Sequence, residues 1–308
     1  MVLLMETGEY NMQNTTSEYQ AKMLGLVTLF NSSPDEAATN IKRYVNDLDE
    51  LIVWDNTPLD KNLKADILAS LHDVSNRIIW KGDGKNHFIA PAINFAWHYA
   101  QEHGYQLLLL MDQDSSWEDF QLFRQQVNEC YRENCNRVFC PFISGNDTFE
   151  IVQDIQAKRI FINSGTVVPI NILNNIGGAD EAFELDALDH DLAIRIQKAG
   201  YDIVCLTKHI LHHQVGHMQR MGSFHIFTHN YNAQRTYSIT KSHILKFRKH
   251  WNWLSSDEIR ETIKIHYIRK FVTIILAEPQ KFMRMKMFFK GIYDGVTYHF
   301  PTKESCTF

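Results

Sequence analysis

The chain has 308 residues, 44% hydrophobic and 22% charged, which is typical of a globular protein with one large domain or one domain and an accessory. The formal net charge of −5 argues against a general nucleic-acid binder. We expect no signal peptide and no membrane span, because no run reaches ~18 apolar residues. The five cysteines lack metal-ligand spacing, and their odd number favours free thiols in a reducing cytoplasm.

Strands and helices alternate through most of the chain. Residues 1–22 are weakly patterned and are predicted to be an extension. Apolar runs predict strands at 23–30, 50–54, 77–80, 107–112, 137–141, 160–169 and 201–206. Helices are predicted at 35–44, 90–103, 117–132 and 186–199. This alternation is typical of an α/β protein with a mostly parallel sheet covered by helices.

The apolar run Leu-Leu-Leu-Leu-Met at 107–111 leads into two carboxylates, Asp112 and Asp114. Residues i and i+2 of an extended chain point to the same side, so both can face one point at the carboxyl end of the strand. Ligands bind there in open α/β sheets. Two carboxylates this close repel each other unless a cation lies between them, and a hard divalent ion with phosphate ligands fits the position. The alternative is a chance Asp-x-Asp pair.

Two further positions allow either a functional or a structural interpretation. Asp55, at the end of the second strand, can accept hydrogen bonds from a base or ribose, or cap a turn. Gly165, after Asn163 and Ser164, can let the backbone approach a ligand or mark a bulge. Neither a dinucleotide fingerprint nor a P-loop follows the first strand. Bound phosphates would therefore need a metal ion.

Three acids, Asp186, Asp189 and Asp191, lie at the start of one predicted helix. Unpaired N–H groups in the first turn favour negative charge, which accounts for at least one of them. Three acids beside His190 exceed what capping needs, so one carboxylate can act as a general base. Arg195 follows Asp191 by four residues, which predicts an ion pair on the helix surface.

A histidine cluster follows the predicted strand at 201–206. Its members are His209, His212, His213 and His217. Such clusters are often exposed and inert, but a neutral imidazole can also complete a metal site.

The C-terminal part of the chain is basic and helical. Residues 241–303 contain 13 Lys/Arg against 5 Asp/Glu. Helices are predicted at 231–249, 259–276 and 281–293, with Pro279 as a break. A basic face beside a Met/Phe face fits a helix on an anionic membrane, or one that packs on the catalytic body or on a second subunit.

The order of these motifs resembles the inverting, metal-dependent glycosyltransferases of family 2, which have the GT-A fold. The matching elements are Asp55-Asn56, Asn86-x3-Ala-x3-Asn94, Asp112-Gln113-Asp114-Ser115, Ser164-Gly165, the acidic segment from Gly177 to Arg195, Gly200-Tyr201, and His213-x-x-Gly216. The Asp-Gln-Asp-Ser form is most similar to the bacterial rhamnosyltransferase branch. The resemblance covers residues 23–250, which leaves 251–308 as a helical, basic extension.

The resemblance implies a role for each matching residue. Asp189, with Asp191 beside it, would be catalytic. The metal ligands would be Asp112, Asp114 and His213, holding Mn2+ or Mg2+. The nucleotide and donor sugar would contact Thr28, Asp55, Asn86, Asn94, Asp112, Ser164, Gly165 and Asp186.

The implied activity is transfer of rhamnose or another hexose from a dTDP- or UDP-sugar to a hydroxyl of a growing, lipid-linked surface glycan. The protein would act in the cytoplasm, peripherally on the inner face of the plasma membrane, as a monomer or homodimer. Lys241-Ser242 replaces the Arg-Asn of the rhamnosyltransferase motif, so the donor can differ from dTDP-rhamnose. The alternatives are a non-catalytic sugar-nucleotide-binding scaffold subunit and a sugar nucleotidyltransferase.

Overall fold

A computed structural model describes residues 20–61, 64–213, 219–221 and 226–301. The strands are β1 (Met23–Leu29), β2 (Glu50–Asp55), β3 (Ile78–Lys81), β4 (Leu107–Asp112), β5 (Ser115–Trp117), β6 (Arg137–Ser144), β7 (Ile155–Ala157), β8 (Val167–Pro169), β9 (Asp202–His213), β10 (Gln219–Met221) and β11 (Ile226–Thr228). The helices are α1 (Pro34–Lys42), α2 (Lys64–Ser70), α3 (Ala90–Glu102), α4 (Phe120–Glu133), α5 (Ile170–Ile176), α6 (Ala187–Lys198), α7 (Ala233–His250), α8 (Ser256–Thr262), α9 (Lys270–Leu276) and α10 (Lys281–Thr297). A π-helical segment, Ile263–Arg269, joins α8 to α9.

Nine of the described strands form one sheet in the order β3-β2-β1-β4-β8-β6-β9-β5, with β7 also paired to β9. The first four strands of this order are parallel, as are β6 and β9. Strand β8 runs antiparallel between β4 and β6. The predicted α/β fold with a mostly parallel, helix-covered sheet is confirmed. Its functional consequence is that β1, β2 and β4 end at the same edge.

Strand β4 lies at the centre of the core. Its residues Leu107–Met111 are at most 2% exposed, because both faces of the sheet are covered. Leu107, Leu109 and Met111 pack into one apolar cluster, whereas Leu108 and Leu110 pack into another that includes α3 and α6. Packing on both faces fixes the carboxyl end of β4, where Asp112 begins the acidic pair.

Several predicted element boundaries differ from the observed ones, and three of these differences lie near the acidic groups at the end of the sheet. Of the predicted strand at 160–169, only Val167–Pro169 is extended, because Thr166 N–H bonds to the Asn163 carbonyl and closes a turn. Helix α4 begins at Phe120, after an N-cap by Asp119. The strand predicted at 201–206 continues to His213, since β9 pairs with β5 and with β6 beyond a bulge.

Helix α6 is anchored to α7 by the buried carboxylate of Asp191. Arg195 Nε lies 2.7 Å from it, as predicted, but the pair is inside the protein rather than on the helix surface. Lys249 and His250 of α7 approach its other oxygen, each at 2.8 Å. Burial would raise the pKa of Asp191, but the His250 hydrogen bond and the charges of Arg195 and Lys249 outweigh it and hold the pKa below its ordinary value. Asp191 is therefore a structural anchor.

Helix α10 packs on α7 through Gly291 and Gly295. A Cβ at Gly291 would lie 2.7 Å from the Tyr237 carbonyl oxygen, so the two backbones approach closely. Buried Glu278 binds Lys270 at 2.9 Å and Arg284 at 2.8 Å, which ties α9 to α10. The domain boundary at residue 250 stays a prediction, and α7 and α10 pack against each other across it. Residues 1–19 of the predicted extension lie outside the described chain.

Candidate active site

The carboxyl ends of three adjacent strands carry polar side chains. Thr28 of β1 lies beside Asp112 of β4 on one side and Trp54 of β2 on the other. Asp55 ends β2, where it is 8% exposed and its Oδ1 accepts a hydrogen bond from Thr57 N–H at 2.9 Å. The sheet thus brings Thr28, Asp55 and Asp112 to one edge, with Asp55 shaping the turn that follows β2.

The predicted metal ligands come together at this edge. One side-chain ligand atom from each of Asp112, Asp114 and His213 lies within 4.8 Å of the other two. His213 Nδ1 is 3.5 Å from Asp114 Oδ1. The antiparallel pairing of β5 with β9 places Ser115 opposite His213, which explains how residues 98 positions apart meet.

A chain of hydrogen bonds through two buried serines links Asp112 to His213. The Asp112 N–H donates to Ser164 Oγ at 3.2 Å, and Ser164 Oγ donates to Ser115 Oγ at 2.6 Å. Ser115 Oγ and His213 Nδ1 share a bond of 2.8 Å. Both serines are fully buried, and Ser164 supports the backbone of Asp112 from inside the protein. Its contact with a donor sugar stays a prediction. The role of Ser115 was not predicted, although it completes the Asp-Gln-Asp-Ser motif.

The three side chains fit a hard divalent ion. Burial, and then the charge of Asp114, raise the pKa of Asp112 to about 6. Asp114 Oδ1 is buried without a hydrogen-bond partner among the described residues. Carboxylate oxygens with one imidazole suit Mn2+ or Mg2+, and such an ion would relieve both the repulsion and the missing partner.

Asp189 lies in the same cleft as His213, and the cleft has a volume of about 470 Å³. Burial, and then the charge of Asp112, raise the pKa of Asp189 to about 8. Asn163 Nδ2 contacts Asp189 Oδ1 at 3.5 Å, a role that was not predicted for Asn163. A cation on Asp112 would cancel the second cause and bring the pKa towards neutrality, where a general base is most effective.

Two of the predicted site residues have structural roles. Asp191, expected beside the base, is fully buried in its ion pairs, and its catalytic role stays a prediction. Gly165, expected in the donor pocket, is buried with a φ of 80°, and a Cβ there would lie 2.7 Å from Pro141 Cγ. Packing and the left-handed conformation therefore require this glycine.

The two predicted asparagines lie in supporting loops. Asn94 Nδ2 donates to the Ala179 carbonyl at 3.0 Å, and its Oδ1 accepts from Ala179 N–H at 2.8 Å, which holds the loop before α6. Asn86 is exposed, and its Oδ1 accepts from Phe88 N–H at 2.9 Å. Their contacts with a donor stay predictions.

The other histidines of the cluster that the structure describes, and Asp186, do not lie beside Asp112 and Asp114. His209 bonds to Gln126 at 2.6 Å and His212 to Glu118 at 2.7 Å, both away from the acidic pair. His217 lies outside the described residues. Asp186 lines the cleft, but its Oδ2 lies 3.8 Å from His243 Nε2 rather than beside Asp112.

Known proteins resemble this chain in structure but not in sequence. No protein-family model matches the chain, and no curated protein matches its sequence. The structure is similar to Staphylococcus aureus TarS residues 1–349, with a TM-score of 0.57 and 10% identity over 90% of this chain and 81% of that one. It is equally similar to the Pyrobaculum calidifontis mannosyltransferase PcManGT in complex with GDP-Man and Mn2+, with a TM-score of 0.57 and 13% identity over 92% and 77%.

A third neighbour is GalNAc-T7 with UDP, GalNAc and Mn2+, with a TM-score of 0.53 and 10% identity over 92% of this chain and 59% of that one. The fold is that of the GT-A glycosyltransferases. Two of these three neighbours contain Mn2+. The predicted fold class is therefore confirmed.

The ion-free protein should lose stability as its acids ionise. The pKa values of Asp112 and Asp189 lie above the ordinary 3.8, so their contribution is fully present below about pH 4 and is lost as the pH rises through about 6 and then about 8. In the Asp189→Asn variant, the part of this stability loss that comes from ionisation of Asp189 is absent. The difference in melting temperature between variant and wild type should therefore widen from about pH 5 to about pH 8.5, by about 2 °C per kcal/mol.

Differential scanning fluorimetry in a chelating buffer measures this difference. Saturating Mn2+ should shrink it, because the ion cancels the Asp112 charge that acts on Asp189. Parallel pH curves for the two proteins would contradict the account of Asp189.

Proposed function

We propose that the protein is a metal-dependent glycosyltransferase that transfers a hexose from a nucleotide-diphosphate donor to an acceptor hydroxyl, with inversion at the anomeric carbon. The observation that carries the proposal is that Asp189 and His213 line one cleft, with Asp112 and Asp114 grouped beside His213. The GT-A fold supports it by placing this group where strands β1, β2 and β4 end.

Different residues of the chain would bind the metal ion and accept the proton. Asp112, Asp114 and His213 would hold Mn2+ or Mg2+, which when bound stabilises negative charge on the departing diphosphate. Asp189 takes the proton of the acceptor hydroxyl as its oxygen attacks the anomeric carbon. The bond from that carbon to the diphosphate oxygen breaks, and the nucleoside diphosphate leaves with the electron pair. Attack on the face opposite the leaving group gives inversion.

The donor is a nucleotide sugar whose base lies near Thr28 and Asp55. We propose dTDP-rhamnose or a UDP-hexose, on the basis of the Asp112-Gln113-Asp114-Ser115 motif. The structural neighbours contain GDP-Man in one case and UDP in another, so the fold accepts more than one base. The acceptor is a hydroxyl of a lipid-linked surface glycan at the cytoplasmic face of the membrane.

Asp189→Asn should retain donor binding and lose turnover by about 10²–10⁴-fold, since the amide cannot take a proton. The measurement is the initial rate of nucleoside diphosphate release in the presence of Mn2+, donor and acceptor, beside donor affinity by calorimetry. Near-wild-type turnover would exclude Asp189 as the base. Donor binding by the wild type, with no transfer to any acceptor or to water, would favour the scaffold alternative.

Asp191→Asn is the matched comparison, because the same change is made two residues along α6. It disrupts the buried contacts with Arg195, Lys249 and His250, so it should lower the free energy of unfolding by about 3–5 kcal/mol. Turnover per folded molecule should be retained. Loss of turnover without loss of stability would return the base role to Asp191.

The C-terminal helices suggest how the enzyme reaches a lipid-linked acceptor. Helix α10 buries Arg284, Phe288, Gly291 and Gly295 against the body and exposes Phe282, Phe289, Tyr293 and Val296 on its opposite face. The ring of Phe271 in α9 packs against the ring of Phe289, with 6.3 Å between their centroids, and extends this apolar surface. Exposed Lys281, Lys286 and Lys290 accompany it, which suits an anionic lipid surface. No helix in the described ranges is long and apolar enough to cross a membrane.

Phe282→Ala should weaken binding to vesicles containing anionic lipid by about tenfold, because the ring is 84% exposed and would insert at the interface. Leu59→Ala, at a 74% exposed apolar residue outside the C-terminal helices, is the control and should bind as the wild type. Vesicle sedimentation measures both. Equal binding by Phe282→Ala and wild type, with altered self-association in ultracentrifugation, would make this face a subunit interface instead.

A further inference from the structure

Three side chains outside the Asp112/Asp114/His213 group converge on the other part of the cleft. They are Asp186, His243 and His266, and one ligand atom from each lies within 4.8 Å of the other two. Asp186 precedes α6, His243 belongs to α7, and His266 lies in the π-helical segment. All three line the 470 Å³ cleft, so the group is accessible from the space that contains Asp189.

His243 is the side chain that points to a ligand. It is 3% exposed, and neither ring nitrogen has a hydrogen-bond partner among the described residues. A buried imidazole without partners is costly, because it loses its bonds to water and gains none in exchange. The His266 ring lies 3.8 Å away between centroids, and Asp186 Oδ2 is 3.8 Å from His243 Nε2. Each of these neighbours offers a further ligand atom to an ion.

The geometry and the donor atoms fit a zinc-class ion. Two ligands about 2.0 Å from a tetrahedral ion lie about 3.3 Å apart, close to the observed 3.8 Å. Two imidazoles and one carboxylate are a common protein ligand set for Zn2+ and leave one position open. Burial lowers the pKa of His243 well below its ordinary value, so the ring is neutral, the form that binds metals.

Two backbone irregularities accompany these ligands. Asp186 has a φ of 59° and a ψ of −85°, an unfavourable conformation for a residue with a side chain. The π-helix that carries His266 is a rare form, often found at functional sites. The charge of Lys246 acts on both His243 and His266 and would oppose a metal ion, but burial lowers the pKa of Lys246 to about 8, so its amine loses its proton more readily. His190, also in the cleft, is neutral because burial lowers its pKa to about 3.

We propose that Asp186, His243 and His266 bind a divalent ion of the zinc class, at a site that shares no ligand with the Asp112/Asp114/His213 group. The open coordination position faces the cleft and takes an oxygen of the acceptor. This second part rests on the proposed glycosyl transfer, whereas the metal site itself does not.

The metal site is tested with Co2+, whose visible absorption reports four-coordinate geometry. In an Asp112→Asn/Asp114→Asn background, which disables the other site, we expect one equivalent of Co2+ to bind with tetrahedral bands that Zn2+ displaces. Adding His266→Gln should abolish the bands and the bound equivalent. Adding His212→Gln, the same change at an exposed histidine of β9, should leave both intact.

Absence of tetrahedral Co2+ in the background protein, or its persistence after His266→Gln, overturns the site. His243→Gln is a second test of the same ligand set, with circular dichroism to show that the variant is folded. The acceptor role predicts that His266→Gln raises the KM for acceptor and leaves the donor KM unchanged. An unchanged acceptor KM in a variant that has lost its ion overturns that role, and a wild type without transferase activity leaves the Co2+ result valid.

Discussion

Repulsion between carboxylates at the end of β4 is the constraint on which the site depends. Asp112 and Asp114 lie one residue apart, and Asp189 approaches from α6 closely enough for the charge of Asp112 to raise its pKa. No described Lys or Arg forms an ion pair with any of the three. A bound cation would relieve the repulsion among these three acids, which is the physical reason for the proposed metal ion. The buried serines hold Asp112 and His213 in place through hydrogen bonds that do not require an ion.

The acidic side chains in the described part of the chain are of two kinds: some form ion pairs with Lys or Arg, and others do not. Asp191, two residues after Asp189, is surrounded by Arg195, Lys249 and His250 and stabilises the contact between α6 and α7. Glu278 does the same among the C-terminal helices with Lys270 and Arg284. Acids with basic partners thus hold the elements together, whereas those around the cleft are left for a ligand. The distinction depends on the partners each carboxylate has in space.

Because the role of a carboxylate depends on its partners in space, only part of the site could be predicted from the sequence. The apolar strands, the Asp112/Asp114 pair and the order of the motifs predicted the fold, which is confirmed, and a set of three side chains that the structure brings together, because these signals are local. The structural contacts of Asp191 and Gly165 could not be predicted, since their partners come from α7 and β6, far along the chain. Ser115 and Asn163 lay within recognised motifs and gained roles only from strand pairing. His243 and His266 carried no local signal, because helix packing alone brings them to Asp186.

The central claim is that Asp112, Asp114 and His213 bind a nucleotide-sugar donor through a divalent ion. The most direct measurement is a calorimetric titration of the protein with GDP-, UDP- and dTDP-sugars, with and without Mn2+, for the wild type and Asp114→Asn. Asp154→Asn, a change at an exposed acid elsewhere, is the control. The account predicts Mn2+-dependent binding of one nucleotide class that Asp114→Asn abolishes and Asp154→Asn retains. Binding that is independent of both Mn2+ and Asp114 would contradict it.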